Sequence, residues 1–385
     1  MRRVSILGST GSIGRSSIDV ARAHPGNISI VGLSARRRVA ELAEQILEFQ
    51  PAVAALGDES LVPELKRLIG SVKTDIVSGS AGIEQVASID KADIVLNALV
   101  GAAGIMPSLA AIRGGKDLAV ANKECLVAAG EVITREAAAS GSRLIPVDSE
   151  HSAVFQCLKG EKAGAVARIT LTASGGPLKD VAAGDIGGVT AAFALKHPTW
   201  NMGEKVTIDS ATLLNKGFEV IEAHWLFGIP TDRIDVLVER KSIVHCLVEF
   251  IDGSVIALLS QPDMRLPIQY ALTQPDRLPA PAEALDLADM GEILFETPDY
   301  GRFPCLELAY QAASLGGTAP AALSAADEVV VESFLAGRIK FDDIYSILKD
   351  VIREHRIMQA GTIESVMKAT VWAHERARSL TGGPA

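Results

Sequence analysis

A chain of 385 residues is long enough for two or three domains, each with its own core. A net charge of −10 argues against a nucleic-acid partner, and an ordinary apolar share with only 4% aromatics predicts an alanine-rich soluble protein. The longest apolar run, Ala98 to Ile112, is broken by Gly101, Gly104 and Pro107 and falls short of the ~20 residues of a membrane helix, so no membrane partner is expected. The opening MRRVSILG enters a strand at once, which predicts no signal peptide and a cytoplasmic or organelle-stromal location. Cys125, Cys157, Cys246 and Cys305 form no CxxC pair and read as reduced core residues.

Residues 4 to 34 read as one βαβ unit, with VSIL as a buried strand, GSTGSIG as a turn, SSIDVARAH as a helix and ISIVGLS as a second strand. Gly8, Gly11 and Gly14 have GxxGxxG spacing, a variant of the dinucleotide fingerprint. Glycine there permits the tight turn, approach to pyrophosphate and close helix packing. An acid at the end of the second strand would bind the ribose hydroxyls of NAD, but this chain has Arg36, Arg37 and Arg38, which suit a 2′-phosphate. Further strands are expected at about 52–56, 74–77, 93–99, 117–121 and 144–147, separated by helices, which gives a doubly wound parallel sheet.

Ligands of such sheets sit at the carboxyl ends of strands, and two ends carry chemistry. One finishes in Asn122, Lys123 and Glu124. The other runs into Asp148 and Glu150, which in extended chain point to one side and repel unless a cation lies between them. All-oxygen ligands favour Mg²⁺ or Mn²⁺ over zinc. The same two acids would also serve as a helix N-cap with its first-turn carboxylate.

Beyond Ser152 an α+β region is expected, with ARITLTAS as a strand leading to Ser174, Gly175 and Gly176, a backbone-rich turn suited to oxyanions. The stretch HPTWNMGEKVTIDSATLLNKGFE, from His197 to Glu219, opens as a loop holding Trp200 and Met202 and continues into helix. A helix start lined by Ser210, Thr212, Asn215 and Lys216 is a candidate anion seat. Asn215 and Glu219, four apart, share a face, so Glu219 can serve a metal beside that anion. Strands near 234–237, 242–250 and 254–259 follow, then QPDRLPAPA as a linker. A helical bundle from about residue 300 completes the chain, and no catalytic residue is assigned to it.

Together GSTGSIG, NKE, VDSEHSA, TASGGP, HPTWNMG and SATLLNKGFEVIEAHWLF resemble the 1-deoxy-D-xylulose 5-phosphate reductoisomerase family, in that family's order. The resemblance implies an NADPH-dependent homodimer with a divalent metal, converting a ketose phosphate to 2-C-methyl-D-erythritol 4-phosphate for isoprenoid synthesis. It implies an NADPH-binding domain at 1–147, a catalytic domain at 148–273, a linker at 274–299 and a helical domain at 300–385. Cofactor falls on Thr10, Gly11, Ser12, Ile13, Asn122, Glu124 and Gly203, and metal on Asp148, Glu150 and Glu219. Substrate falls on Lys123, Ser149, Glu150, Ser174, His197, Ser210, Asn215, Lys216 and Glu219, with Trp200 and Met202 as a lid and His151 orienting a ligand. Where the family often has a Gly-Lys-Asn-like turn this chain has its three arginines, and which of them meets the 2′-phosphate stays open. The alternatives are a metal-free NADP-linked dehydrogenase of the homoserine or semialdehyde type, and a catalytically silent NADP-binding regulator.

Overall fold

The computed structural model describes residues 1–200 and 202–382. The chain forms two compact units: Met1–Cys125, Ile133–Ser152 and Asp263–Ala284 make the first, and Leu126–Val132, Ala153–Pro262 and Leu285–Ala385 the second.

The first unit is built on seven parallel strands: β1 Arg2–Leu7, β2 Ile28–Ala35, β3 Val53–Leu56, β4 Asp75–Ser78, β5 Ile94–Asn97, β6 Asp117–Val120 and β7 Leu144–Pro146. Their order is β4-β3-β2-β1-β5-β6-β7, so the winding reverses between β1 and β5. Parallel strands covered by helices on both faces need unbroken apolar runs. Val4, Ile6, Leu33, Ile94 and Leu96 accordingly have no more than trace exposure. The strands expected from the sequence are all present, with ends displaced by no more than two residues. The chain returns to this unit late, where the helix Arg265–Thr273 packs on the helix Ser12–Ala23 and Gln269 meets the His24 ring at 2.7 Å.

The second unit has a four-stranded mixed sheet of β8 Val166–Ala173, β9 Ile234–Val238, β10 Val244–Phe250 and β11 Val255–Leu259, in the order β11-β10-β8-β9. β8 and β9 run parallel, and β10 is antiparallel to both of its neighbours. Helices Glu204–Ala211, Leu214–Phe227, Cys305–Leu315, Ala319–Leu335, Phe341–Glu354 and Ile363–Leu380 belong to the same unit and share one apolar core with the sheet. Ala319–Leu335 is buried almost all round, as its small-residue sequence APAALSAADEVVVESFL allows. Pro320 sits in its first turn, where no intrahelical donor is lost. The α/β sheet, the α+β region and the C-terminal helices thus match the expected fold class. All four cysteines are buried, and the nearest pair, Cys157 and Cys246, has its sulfurs 3.9 Å apart, too far for a bond. Among the described residues no helix is long and apolar enough to cross a membrane.

The glycine turn after β1 is the tightest backbone approach in the first unit. Gly8 has φ +80, and a Cβ on Gly14 would stand 2.2 Å from the Gly8 carbonyl oxygen and 2.5 Å from the Ser9 backbone. Neither obstacle is a flexible side chain, so Gly14→Ala should destabilise the protein by about 1–3 kcal/mol, as overpacking does. A urea midpoint equal to that of the wild type would show that the turn yields at no cost.

Candidate active site

The cofactor end of the first unit is assembled by β1 and its turn. Gly8 cannot carry a side chain, because a Cβ would meet the Ala98 carbonyl oxygen at 2.7 Å across the reversal of strand order. Gly11 donates to the Gly8 carbonyl at 3.0 Å and caps the helix Ser12–Ala23 with backbone alone, with no acid in the first turn. A helix N-terminus of this kind attracts an anion. Thr10 is buried, and Gly11, Ser12 and Ile13 line the start of the helix.

Arg36, Arg37 and Arg38 all lie exposed just past β2. They are not equivalent. Arg37 faces Asp58 at 3.3 Å, whereas Arg38 donates to the Thr10 carbonyl at 2.7 Å, so its guanidinium stands against the glycine turn itself.

Asn122 lies two residues past β6 and caps the helix Lys123–Ser140, accepting from the Cys125 N–H at 2.8 Å. Its amide also donates to the Leu99 and Gly101 carbonyls at 2.7 and 3.0 Å. Asn122 therefore pins the loop after β5 to the start of the next helix, with Lys123 and Glu124 buried beside it. The Lys123 ammonium lies 2.6 Å from Asp148.

Asp148 and Glu150 depart from the extended geometry expected of them. β7 stops at Pro146, and the helix Ser149–Cys157 begins at once, with Ser152 N–H bonding to the Asp148 carbonyl. Asp148 occupies the N-cap position and Glu150 the first turn, so the helix start, rather than the pleat of a strand, brings their carboxylates together. One oxygen from each lies within 4.8 Å of the other. The Ser149 hydroxyl donates to Glu150 at 2.5 Å, and the His151 Nδ1 stands 4.0 Å from Asp148. Two oxygen donors this close, with a lysine already drawn to one of them, are the donor chemistry of a hard divalent cation.

In the second unit β8 leads into the Ser174-Gly175-Gly176 turn, where both glycines take positive φ, +82 and +70. A Cβ on Gly176 would stand 2.5 Å from the Ser210 carbonyl oxygen, so only glycine lets this turn lie against the helix Glu204–Ala211. The Ser174 hydroxyl oxygen accepts from the Gly176 N–H at 3.1 Å and meets the His197 Nε2 at 3.0 Å. His197 Nδ1 accepts from the Thr199 and Trp200 N–H groups at 3.1 and 2.9 Å, which leaves the ring proton on Nε2 to donate to Ser174. With its oxygen accepting twice, Ser174 has its own proton to offer an anion. Burial, and then the Lys179 ammonium, lower the His197 pKa from 6.5 to about 4.

The anion seat also differs in construction from the single helix start that was expected. Ser210 closes one helix, Glu204–Ala211, and Asn215 and Lys216 open another, Leu214–Phe227, with Leu213 at φ +59 making the break and Thr212 beside it. The expected shared face of the second helix is real. Asn215 donates to one oxygen of Glu219 and the Lys216 ammonium to the other, both at 2.5 Å, and Lys216 and Glu219 are buried. Trp200 and Met202 are half-buried, while Gly203 is exposed and caps Glu204–Ala211.

Several structural partners were not anticipated from the sequence. Arg302 donates to the carbonyls of Leu178, Lys179 and Val181 and so fixes the loop that follows Ser174. Lys205 pairs with Asp209 and Asp327 at 2.6 and 2.5 Å. The Lys205–Asp209 half was visible as an i, i+4 spacing within EKVTID; the partners from beyond residue 300 had no local signal.

A glycine-fingerprint sheet with an arginine turn, paired carboxylates and a polar anion seat defines a nucleotide-dependent oxidoreductase of anionic substrates. Comparison with known proteins is more specific. Residues 4–130 match the 1-deoxy-D-xylulose 5-phosphate reductoisomerase family model, 144–227 match that family's C-terminal domain, and 259–376 match a DXP reductoisomerase C-terminal domain. The chain is 48% identical over 382 residues to the reductoisomerase of Thermodesulfovibrio yellowstonii, covering 99% of this chain and 100% of that one. It is 49% identical to that of a Synechococcus strain, over 99% and 97%. Its fold is similar to that of the Zymomonas mobilis reductoisomerase in complex with NADPH, with TM-score 0.92 and 38% identity over 99% of each chain. A DOX-P reductoisomerase in complex with NADPH, fosmidomycin and magnesium gives TM-score 0.95 at 36% identity, over 99% and 98%. The chain belongs to the 1-deoxy-D-xylulose 5-phosphate reductoisomerase family.

The lowered pKa of His197 has a consequence for stability. Between the folded value of about 4 and the ordinary 6.5, the unfolded chain takes up a proton that the folded protein refuses. Stability from this group is therefore full above 6.5 and is lost as pH falls toward 4. His197→Gln should flatten that part of the pH–stability curve, measured by denaturant unfolding from about pH 4.5 to about pH 7.5. An unchanged slope, or a ring titrating near 6.5 by NMR, would contradict the assignment.

Proposed function

We propose that the chain converts 1-deoxy-D-xylulose 5-phosphate to 2-C-methyl-D-erythritol 4-phosphate, a step toward isoprenoid precursors, using NADPH and Mg²⁺ or Mn²⁺. The observation that carries this reading is the near-complete match, at about half identity, to relatives named for that reaction. Solved relatives in complex with NADPH, and with NADPH and magnesium, support the cofactors. The family places the metal-free dehydrogenase and the silent regulator behind this reading.

NADPH belongs on Thr10, Gly11, Ser12 and Ile13 of the glycine turn, with Asn122, Glu124 and Gly203 and the arginine turn. Arg38 is the arginine best placed for the 2′-phosphate, because it already contacts the backbone of the glycine turn. The dication belongs to Asp148, Glu150 and Glu219, whose oxygen chemistry suits a hard ion. When bound it supplies Lewis-acid stabilisation of charge developing on adjacent substrate oxygens. Lys123 and Ser149, held against Asp148 and Glu150, hydrogen-bond the same substrate oxygens. Ser174, Ser210, Asn215, Lys216 and neutral His197 grip the phosphate, so a group that does not react orients the end that does. Trp200 and Met202 close over the substrate and keep water from the intermediate.

The protein acts in the cytoplasm as a homodimer. An edge strand offers the means of pairing: β11 lies at the end of its sheet, with Val255 and Ile256 exposed and Ile251 exposed just before it. Ile256→Lys should lower the sedimentation coefficient to that of a monomer, and a coefficient unchanged from wild type would move the interface elsewhere.

Glu219→Gln keeps the shape of the side chain and removes a ligand charge. It should lower turnover with the ketose phosphate by roughly 100-fold or more while NADPH affinity stays within about twofold. Chelator treatment of the wild type should abolish turnover, with recovery on adding Mg²⁺ or Mn²⁺. NADPH consumption that survives both treatments would remove the metal from the reaction.

A further inference from the structure

We infer that Lys205, Asp209 and Asp327 form a positioning network through which the C-terminal helices set the geometry of the phosphate pocket. This rests on the proposed role of Ser174, Ser210, Asn215 and Lys216 in holding a phosphate. On a surface helix a lysine and an aspartate four apart make a weak pair. Here both carboxylates are buried, and the half-buried ammonium takes the second of them from 122 residues further along the chain. Side-chain exposure is 3% at Asp209 and 1% at Asp327.

The geometry ties three helices together at one nitrogen. Lys205 and Asp209 stand on Glu204–Ala211, the short helix that Gly203 caps and that carries Ser210 in its last turn. Asp327 stands on Ala319–Leu335, the buried centre of the C-terminal bundle, which packs on that short helix. The same ammonium lies 5.5 Å from the ring centroid of Phe218, on the helix that carries Asn215, Lys216 and Glu219. Asp209 is followed directly by Ser210, whose carbonyl limits the space at Gly176 to 2.5 Å for any Cβ. Sliding the short helix along its axis would therefore move Ser210 against the Ser174 turn and alter its spacing from Asn215 and Lys216. An eight-residue helix has little cohesion of its own, and burying these charges fixes it only where all three partners meet.

No residue of this network is among those proposed to hold substrate, so it acts by position alone. A general loss of folding would harm every substrate equally, whereas a displaced phosphate pocket harms only a substrate that has a phosphate. Asp327→Asn should lower kcat/KM for 1-deoxy-D-xylulose 5-phosphate by roughly 10- to 100-fold. For 1-deoxy-D-xylulose, which lacks the phosphate, kcat/KM should stay within about twofold of wild type, as should the KM for NADPH. Equal losses with both sugars, or no loss with either, would overturn the inference. Should Asp327→Asn fail to fold, the triple variant K205M/D209N/D327N removes every charge of the cluster at similar volume, and the same contrast between the two sugars is expected of it. If the wild type itself does not consume NADPH with the phosphorylated sugar, the proposed function falls. If it does and the variants match it, only the network falls.

Discussion

The constraint on which this protein turns is the cost of taking carboxylates out of water. An ionised acid withdrawn from solvent loses several kcal/mol of hydration and is tolerated only beside a cation or a set of hydrogen-bond donors. At three groups of acids the chain supplies a lysine, Lys123 at Asp148, Lys216 at Glu219, and Lys205 between Asp209 and Asp327, whereas buried Glu239 accepts from the Lys241, Ile243 and Val244 backbone N–H groups. A protein with net charge −10 does not attract an anionic sugar by its overall field, so cations must be placed one by one where the phosphate and the reacting oxygens are to sit. Lys123 and Lys216 are also the lysines proposed to meet substrate, whereas Lys205 holds its helix in place. Removing one partner of such a buried pair typically costs about 3–5 kcal/mol, so the pairs determine where the helices stop as much as they prepare chemistry.

A second constraint, steric rather than electrostatic, governs the cofactor end. The reversal of strand order between β1 and β5 opens a crevice at their carboxyl ends, and the glycines decide how closely the backbone approaches it. Gly8 must clear the Ala98 carbonyl, and Gly14 must clear Gly8 and Ser9. Because these neighbours are backbone, the positions admit no accommodation by side-chain movement. The arginines just beyond β2 are the charges proposed to meet the cofactor's 2′-phosphate, and the Arg38 bond to Thr10 ties that group to the same turn.

The sequence was most legible where a function needs a particular residue type at a particular place in a repeating element. Gly8, Gly11 and Gly14 follow a strand, Asn122 and Lys123 follow another, and Asn215 and Glu219 share a helix face by arithmetic alone. It was less legible where one spacing serves two geometries. Asp148 and Glu150 at i, i+2 fit a strand end, but a helix start brings them together because Asp148 satisfies the N-cap position and the backbone ladder begins behind it. The break between Ser210 and Asn215 was hidden for another reason. It is made by Leu213 in the left-handed region, a conformation that leucine rarely signals and that the surrounding packing imposes. Long-range pairs such as Lys205 with Asp327, or Arg302 with the carbonyls after Ser174, leave no periodic trace at all.

Scarce aromatics and abundant small residues are part of how the second unit holds its shape. A Cβ on Gly217 would stand 2.3 Å from that of Ala309, and one on Gly130 would stand 2.3 Å from the Trp225 ring. Helices that meet through such positions approach at backbone distance and have almost no freedom to slide, because interiors packed to crystal density transmit displacement. Gly217 follows Lys216 directly, so the contact that locks its helix to Cys305–Leu315 also locks the lysine that faces Glu219. Reacting groups must be held to roughly 0.5 Å for catalysis, and close small-residue packing meets that tolerance without large side chains. An alanine-rich bundle to which no catalytic residue is assigned is, for this reason, what allows the polar residues between Ser210 and Glu219 to be so tightly spaced.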